Sequence, residues 1–145
     1  MKMLSLWEPY ASLMALGHKR IETRSWTTTY RGPLAIHAAA GGLSRTELIK
    51  MMGTPEIVKL GLNPSELNPG HILAVVDLVD CRSTRFPIPP GMDIPRERAF
   101  GNYEPGRWMW ITQGLKKLRR PIPFKAHQGL CEVPADVVER IIAEA

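Results

Sequence analysis

The residue types best suited to chemistry lie between Gly17 and Trp26, where Lys19, Arg20, Glu22, Arg24 and Trp26 crowd into ten positions. Period-2 alternation after Gly17 predicts that Arg20, Glu22, Arg24 and Trp26 share one strand face, with Ile21, Thr23 and Ser25 on the other. A carboxylate between two guanidiniums and beside an indole is not core composition; it is the composition of a polar pocket or a binding surface. A lysine held in a closed pocket loses basicity by desolvation and can serve as base or nucleophile. A neighbouring carboxylate could then relay a proton or orient a substrate. Strict alternation puts Lys19 opposite Glu22, so their pairing requires Lys19 to sit in the turn before the strand. The competing reading makes Lys19, Glu22 and Arg24 a structural ion network with no chemistry of its own.

Other chemistries find less support. His18, His37, His71 and His127 show no i,i+4 pair and no neighbouring cysteine pair, so no metal site is expected. Gly41-Gly42 lacks the pattern of a phosphate loop or dinucleotide fingerprint, no nucleophile elbow is present, and no cofactor is expected. Trp7, Trp26, Trp108 and Trp110 divide between core and surface, and most tryptophans in a small domain are core. Trp26, facing with Arg24, is the best candidate to stack on a base. Arg31, His37, Arg98 and Arg107 could supply phosphate contacts around it.

Charge points the same way. The net charge is +5, yet Pro105 to Cys131 holds Arg107, Lys116, Lys117, Arg119, Arg120 and Lys125 with no acid. The rest of the chain is nearly neutral. A local basic stripe is the footprint of a polyanion partner, or else a solvated strand face. The two isolated thiols, Cys81 and Cys131, suit a reducing cytoplasm better than a disulfide framework. No apolar run approaches a membrane span, and no leader-like segment opens the chain.

These residues need elements to position them. Lys2 to Leu6 reads as a strand, followed by a helix from Glu8 to Leu16 with Pro9 early and Gly17 as its stop. Gly32 to Ala38 is a second strand beyond the charged one. Then comes a helical insertion, about 41–67. There Ser44 and Glu47 form a capping box, Thr54-Pro55 starts a further turn, and Asn63-Pro64 caps a last one. Asn68-Pro69-Gly70-His71 is a type II turn launching a long strand to Cys81. A proline-rich loop, about 82–106, is expected to form the mobile rim or lid of a cleft. Arg107 to Gln113 reads as a strand turning at Gln113-Gly114 into a basic strand to Arg120. Pro134 opens a final helix with Val137, Val138, Ile141, Ile142 and Ala145 on its apolar face. The sum is a single α+β domain over 1–145, not a parallel βαβ sheet.

The pattern Gly17-x-Lys19-x-x-Glu22-x-Arg24 resembles the signature of the ASCH domain, a branch of the PUA-like β-barrels. Leu4-Ser5-Leu6-Trp7-Glu8-Pro9-Tyr10-Ala11-Ser12-Leu13 resembles the family's opening, and Tyr30-Arg31-Gly32-Pro33-Leu34-Ala35-Ile36-His37-Ala38 its next strand. Phe100-Gly101-Asn102-Tyr103, Gly106-Arg107-Trp108-Met109-Trp110, Pro121-Ile122-Pro123 and Gln128-Gly129-Leu130 are similar to its later segments. The resemblance implies a PUA-like mixed β-barrel with peripheral helices. It implies a module binding RNA or another nucleic acid, or a modified nucleoside; the residues themselves place Lys19, Glu22, Arg24, Trp26, Arg31, His37, Arg98 and Arg107 as the candidates about the ligand. The alternative is a small hydrolase, an amidohydrolase of N4-acylated cytidine or a ribonuclease. The family's enzymes carry over Lys19 directly. Glu22 stands where they carry a hydroxyl residue, and Glu97 is a loose match to their later acidic partner. A protein-interaction domain is a third reading.

Overall fold

The computed structural model describes all residues from Met1 to Ala145. The chain runs β1 (Lys2–Leu6), α1 (Tyr10–Ala15), β2 (Ile21–Arg24), β3 (Gly32–Ala38), α2 (Arg45–Met52), α3 (Pro55–Val58) and a 3-10 turn (Pro64–Glu66). It continues through β4 (His71–Ser83), α4 (Ile94–Ala99), β5 (Trp108–Pro123), β6 (Leu130–Glu132) and α5 (Ala135–Glu144). The strands form one six-stranded sheet in the order β2-β5-β4-β3-β1-β6. Only β1 and β3 are parallel; every other neighbouring pair is antiparallel. The α+β barrel-like class anticipated from sequence is the one observed. No helix is long and apolar enough to cross a membrane.

The sheet curls strongly. β2 and β1 are four strand spacings apart in the sheet order, which a flat sheet would render as about 19 Å. The Arg24 guanidinium on β2 nevertheless donates to the Ser5 carbonyl on β1 at 2.8 Å. The gap between the two strands is thus bridged by a side chain, where a closed barrel would have a backbone ladder.

Alternation along the strands splits the core between the two faces of the sheet. Leu4, Leu34, Ile36, Val76, Leu78 and Trp110 pack with Ala11, Met14 and Ala15 of α1. Met3, Ala35, Ile72, Leu118 and Ile122 pack with Val137 and Ile141 of α5 on the other face. The segment α2–α3 docks through Met52, Ile57 and Leu62 against Leu13 and Phe100. Its capping box is formed: the Glu47 amide donates to Ser44 Oγ at 3.2 Å, and the Ser44 amide to Glu47 Oε1 at 3.1 Å.

Three expectations are corrected. There is no turn at Gln113-Gly114, because β5 is one sixteen-residue strand. Gly114, at φ +66°, instead marks a bulge: Asp77 pairs with Gln113 and Val75 with Lys116, so two residues of β5 oppose one of β4. The segment 82–106 is not an extended loop. β4 continues to Ser83, and α4 is capped by Asp93, whose Oδ1 accepts from the Arg96 amide at 3.1 Å. On α5, Ile142 is exposed: Val137 and Ile141 are buried against the sheet and Val138 packs there partly buried.

Candidate functional site

Lys19 is placed by the way α1 ends. Gly17, at φ +82°, is the left-handed residue that closes the helix. Its amide donates to Met14 O at 3.1 Å and the His18 amide to Leu13 O at 2.9 Å, a double bond pattern that satisfies the last carbonyls and turns the chain sharply. Lys19 therefore precedes β2, as its pairing with Glu22 requires, and its side chain runs inward with no solvent exposure. Its ammonium donates to Ile21 O at 2.6 Å and Phe100 O at 2.9 Å, and lies 3.2 Å from Glu22 Oε1. Three protons meet three oxygen acceptors, which leaves none for a ligand.

Glu22 and Arg24 occupy the same face of β2, as alternation predicts. Glu22 Oε1 also accepts from the Thr23 amide at 3.2 Å, and Oε2 from Arg24 Nε at 3.1 Å. Arg24 Nη2 lies 3.0 Å from Oε2 and donates to Ser5 O. The Arg24 Nη1 group makes no bond within the protein and remains available as a donor. Both side chains retain some access to solvent, 13% for Glu22 and 23% for Arg24.

They line an open cleft of about 1100 Å³ at the end of the half-barrel, where the gap between β1 and β2 lies. Its wall includes Ser5 and His37, partners in the β1/β3 register. His37 Nε2 is 2.6 Å from Phe124 O. A carbonyl only accepts, so in the neutral ring Nε2 carries the proton and Nδ1 accepts from the Ser5 hydroxyl at 2.9 Å. Burial pulls the His37 pKa below its ordinary value, the Phe124 bond opposes that, and the charge of His71 adds to the lowering. Tyr10, also on the wall, is held above the usual phenol range by burial and by the Glu22 carboxylate.

Trp26 stands on the rim with its ring edge-to-face against Trp110, centroids 4.8 Å apart. Trp110 is fully buried and donates its indole N–H to Trp26 O at 3.2 Å. Arg107 reaches the cleft while donating to Asn102 O and Thr23 O, both at 3.1 Å. Trp7 also lines the cleft and is half exposed. In sequence Trp7 stands only with the other tryptophans, as core or surface, and nothing local marks it as a cleft residue.

The remaining candidates lie elsewhere. Glu97 is buried, and its carboxylate accepts from the backbone amides of Arg20 and Ile21 at 3.0–3.1 Å, so it fastens α4 to the start of β2 behind the cleft. Arg31 turns away to Asp80 at 3.7 Å and to the carbonyls of Thr28 and Tyr30. Arg98 lies over the Tyr103 ring, 5.7 Å from its centroid, and not on the cleft wall. Within the basic stripe, Arg107 and Lys125 line the cleft. Arg119 and Arg120 instead bind the last turn of α5, through Ala143 O at 2.6 Å and Glu144 at 3.1 Å.

Comparison with known proteins adds family information to this geometry. The ASCH domain description matches residues 4–87. The human and mouse proteins called activating signal cointegrator 1 are 39% and 38% identical to the chain over 85 residues, 57% of its length. That stretch is 14% of either relative, so the chain spans about one-seventh of the curated proteins it matches. The crystal structure of ASCH from Zymomonas mobilis superimposes with a TM-score of 0.58 at 14% identity, covering 98% of this chain and 93% of that one. A single-substitution variant of the same protein gives 0.55 at 13% identity. At such identities these structures attest to a shared fold.

Proposed function

The chain belongs to the ASCH domain family of PUA-like RNA-binding modules, and on that premise we propose that its cleft binds an unstacked nucleotide of single-stranded RNA. Unpaired bases suit such a site because their edges and faces are free for hydrogen bonding and stacking. The observation that carries the reading is the fixed pair Glu22–Arg24 beside the open indole of Trp26. Lys19 and Ser5 O hold the pair rigid from behind, and Arg24 Nη1 is left to donate to a base acceptor or a phosphate. Stacking on Trp26 contributes roughly 1–3 kcal/mol. Arg107 and Lys125 flank the same opening and supply positive charge for the backbone.

Anisotropy titration of a labelled single-stranded RNA, with duplex RNA as comparator, tests this reading. Arg24→Ala and Trp26→Ala should each weaken single-strand binding at least tenfold, about 1.4 kcal/mol on the stacking scale. Equal affinity for duplex and single strand, unchanged in both variants, would overturn it.

The hydrolase reading is retained in second place because Lys19 is buried against a carboxylate, the arrangement an amidohydrolase of N4-acylated cytidine or a ribonuclease would use. Its weakness is that the ammonium is already saturated by Ile21 O, Phe100 O and Glu22. Turnover of N4-acetylcytidine or cleavage of RNA, abolished by Glu22→Gln in a folded protein, would move it to first place.

A further inference from the structure

Trp7 and the glycine pair Gly41-Gly42 have no part in the reading above, yet both lie on the cleft wall. A Cβ built on Gly42 would stand 2.7 Å from Trp7 Cγ, 3.0 Å from Cδ1 and 3.1 Å from Cδ2. Three ring atoms at nearly equal distance place the Gly42 backbone over the face of the indole, since the edge at Cγ is occupied by the side chain's own stem. Gly42 also holds φ +128°, a conformation open to glycine and strained for other residues. The indole is thus backed by main chain on one face, while the residue as a whole is 51% exposed, more than Trp26 at 36%. A large aromatic with main chain across one face, and open toward a cleft, is suited to serve as a stacking platform.

Both platforms lie just past the ends of strands that meet at the Arg24–Ser5 contact. Trp26 lies two residues beyond Arg24 of β2, and Trp7 two residues beyond Ser5 of β1. The Arg24–Ser5 bond of 2.8 Å ties those two points together. Both indoles line the same cleft as Arg24, whose Nη1 makes no bond within the protein. The cleft volume of about 1100 Å³ exceeds the roughly 300–1,000 Å³ that suffices for a drug-sized ligand.

We propose that Trp7, backed by Gly42, is a second base-stacking subsite, and that the ligand class is an oligonucleotide of at least two residues, not a free nucleoside. This rests on the nucleotide reading of the Trp26 subsite and deepens it: the first base stacks on Trp26, its neighbour on Trp7, and Arg24 serves the step between them.

Intrinsic tryptophan fluorescence, titrated with 5′-phosphorylated homo-oligonucleotides of one to four residues in each of the four bases, tests the proposal. The protein should gain about tenfold or more in affinity from one residue to two, in line with one added stack. Trp7→Ala should bind mononucleotides as the unaltered protein does and lose that gain, while Trp7→Phe keeps part of it. Gly42→Ala should reproduce the Trp7→Ala pattern with a modest drop in melting temperature from the strained φ, because its Cβ displaces the indole and touches nothing in the core. A Trp7→Ala protein that keeps the step, or that loses mononucleotide and dinucleotide binding alike, would overturn the second subsite while leaving the first intact. Absence of binding at every length would remove the nucleotide reading itself, and this inference with it.

Discussion

Lys19 and Glu22 form an ion pair of 3.2 Å in which the ammonium faces the interior and the carboxylate faces the cleft. The polarity of that arrangement matters. If the cleft takes a nucleotide as proposed, Glu22 would meet it while held by a charge no ligand can reach, with Lys19 a positioning residue and Glu22 and Arg24 the working face. It also makes the lysine a structural keystone, because the same ammonium satisfies two buried carbonyls on separate segments, Ile21 and Phe100.

Lys19→Ala should accordingly unfold far more readily than the unaltered protein. Removing one partner of a buried pair costs roughly 3–5 kcal/mol, since the remaining groups are left uncompensated. Urea denaturation checks this. A midpoint unchanged within error would show that the buried contacts contribute nothing and would reopen a catalytic role for the amine.

Glu97→Gln should loosen the back wall of the cleft. The Glu97 carboxylate accepts from the Arg20 and Ile21 amides. An amide presents one acceptor oxygen in place of two and turns an NH₂ toward backbone donors. A cost of about 1–3 kcal/mol follows. Hydrogen exchange should accelerate specifically at Arg20 and Ile21, and retained protection at those two amides would refute the fastening role.

Part of this site was legible from sequence, and the limits have physical causes. Strand alternation is local, so Glu22 and Arg24 fall on one face by counting alone, and Gly17 announces the helix end that places Lys19. The bulge at Gly114 was not legible, because glycine with a positive φ serves a turn and a bulge equally. The choice between them is made by β4, long enough to pair with β5 on both sides of the irregularity. Glu97 lies 77 positions from the backbone it binds, and no local pattern distinguishes it from a solvated glutamate. Arg31 and Arg98 carried the right charge but were claimed by Asp80 and by the Tyr103 ring, neighbours that only the fold supplies. Trp7 needed Gly42, 35 positions on, to become a platform.

Stability should fall on the acid side of neutrality. The pKa of His37 is lowered in the folded protein by burial, and that of His18 by burial and the charge of Arg96. The unfolded chain takes up these protons near pH 6.5, before the folded one does. Below that pH the unfolded state binds more protons, so stability declines as pH drops, and it levels off once the folded histidines also titrate. His37→Gln should flatten the slope between neutrality and pH 5 in a series of thermal melts. An identical slope in that variant would mean that other groups carry the effect.

The basic stripe should separate into three classes. Arg119 and Arg120 are spent on the carboxyl end of α5, where cations are favoured by the helix dipole and by the last free carbonyls. Arg107 and Lys125 line the cleft, and Lys116 and Lys117 are exposed along β5 with no ion-pair partner. If RNA enters the cleft, Arg107→Ser and Lys125→Ser should each weaken binding and reduce the salt slope by about 0.7 per lost phosphate contact, the value for single strands. Arg119→Ser should lower the melting temperature by loosening α5 and leave the salt slope alone. Lys116→Ser with Lys117→Ser should change neither. The decisive comparison is the salt slope of the Arg107→Ser, Lys125→Ser double variant against that of the Lys116→Ser, Lys117→Ser double variant. A larger drop in the second would place the nucleic-acid track along β5, outside the cleft, and would contradict the assignment of the ligand to the Glu22–Arg24 floor.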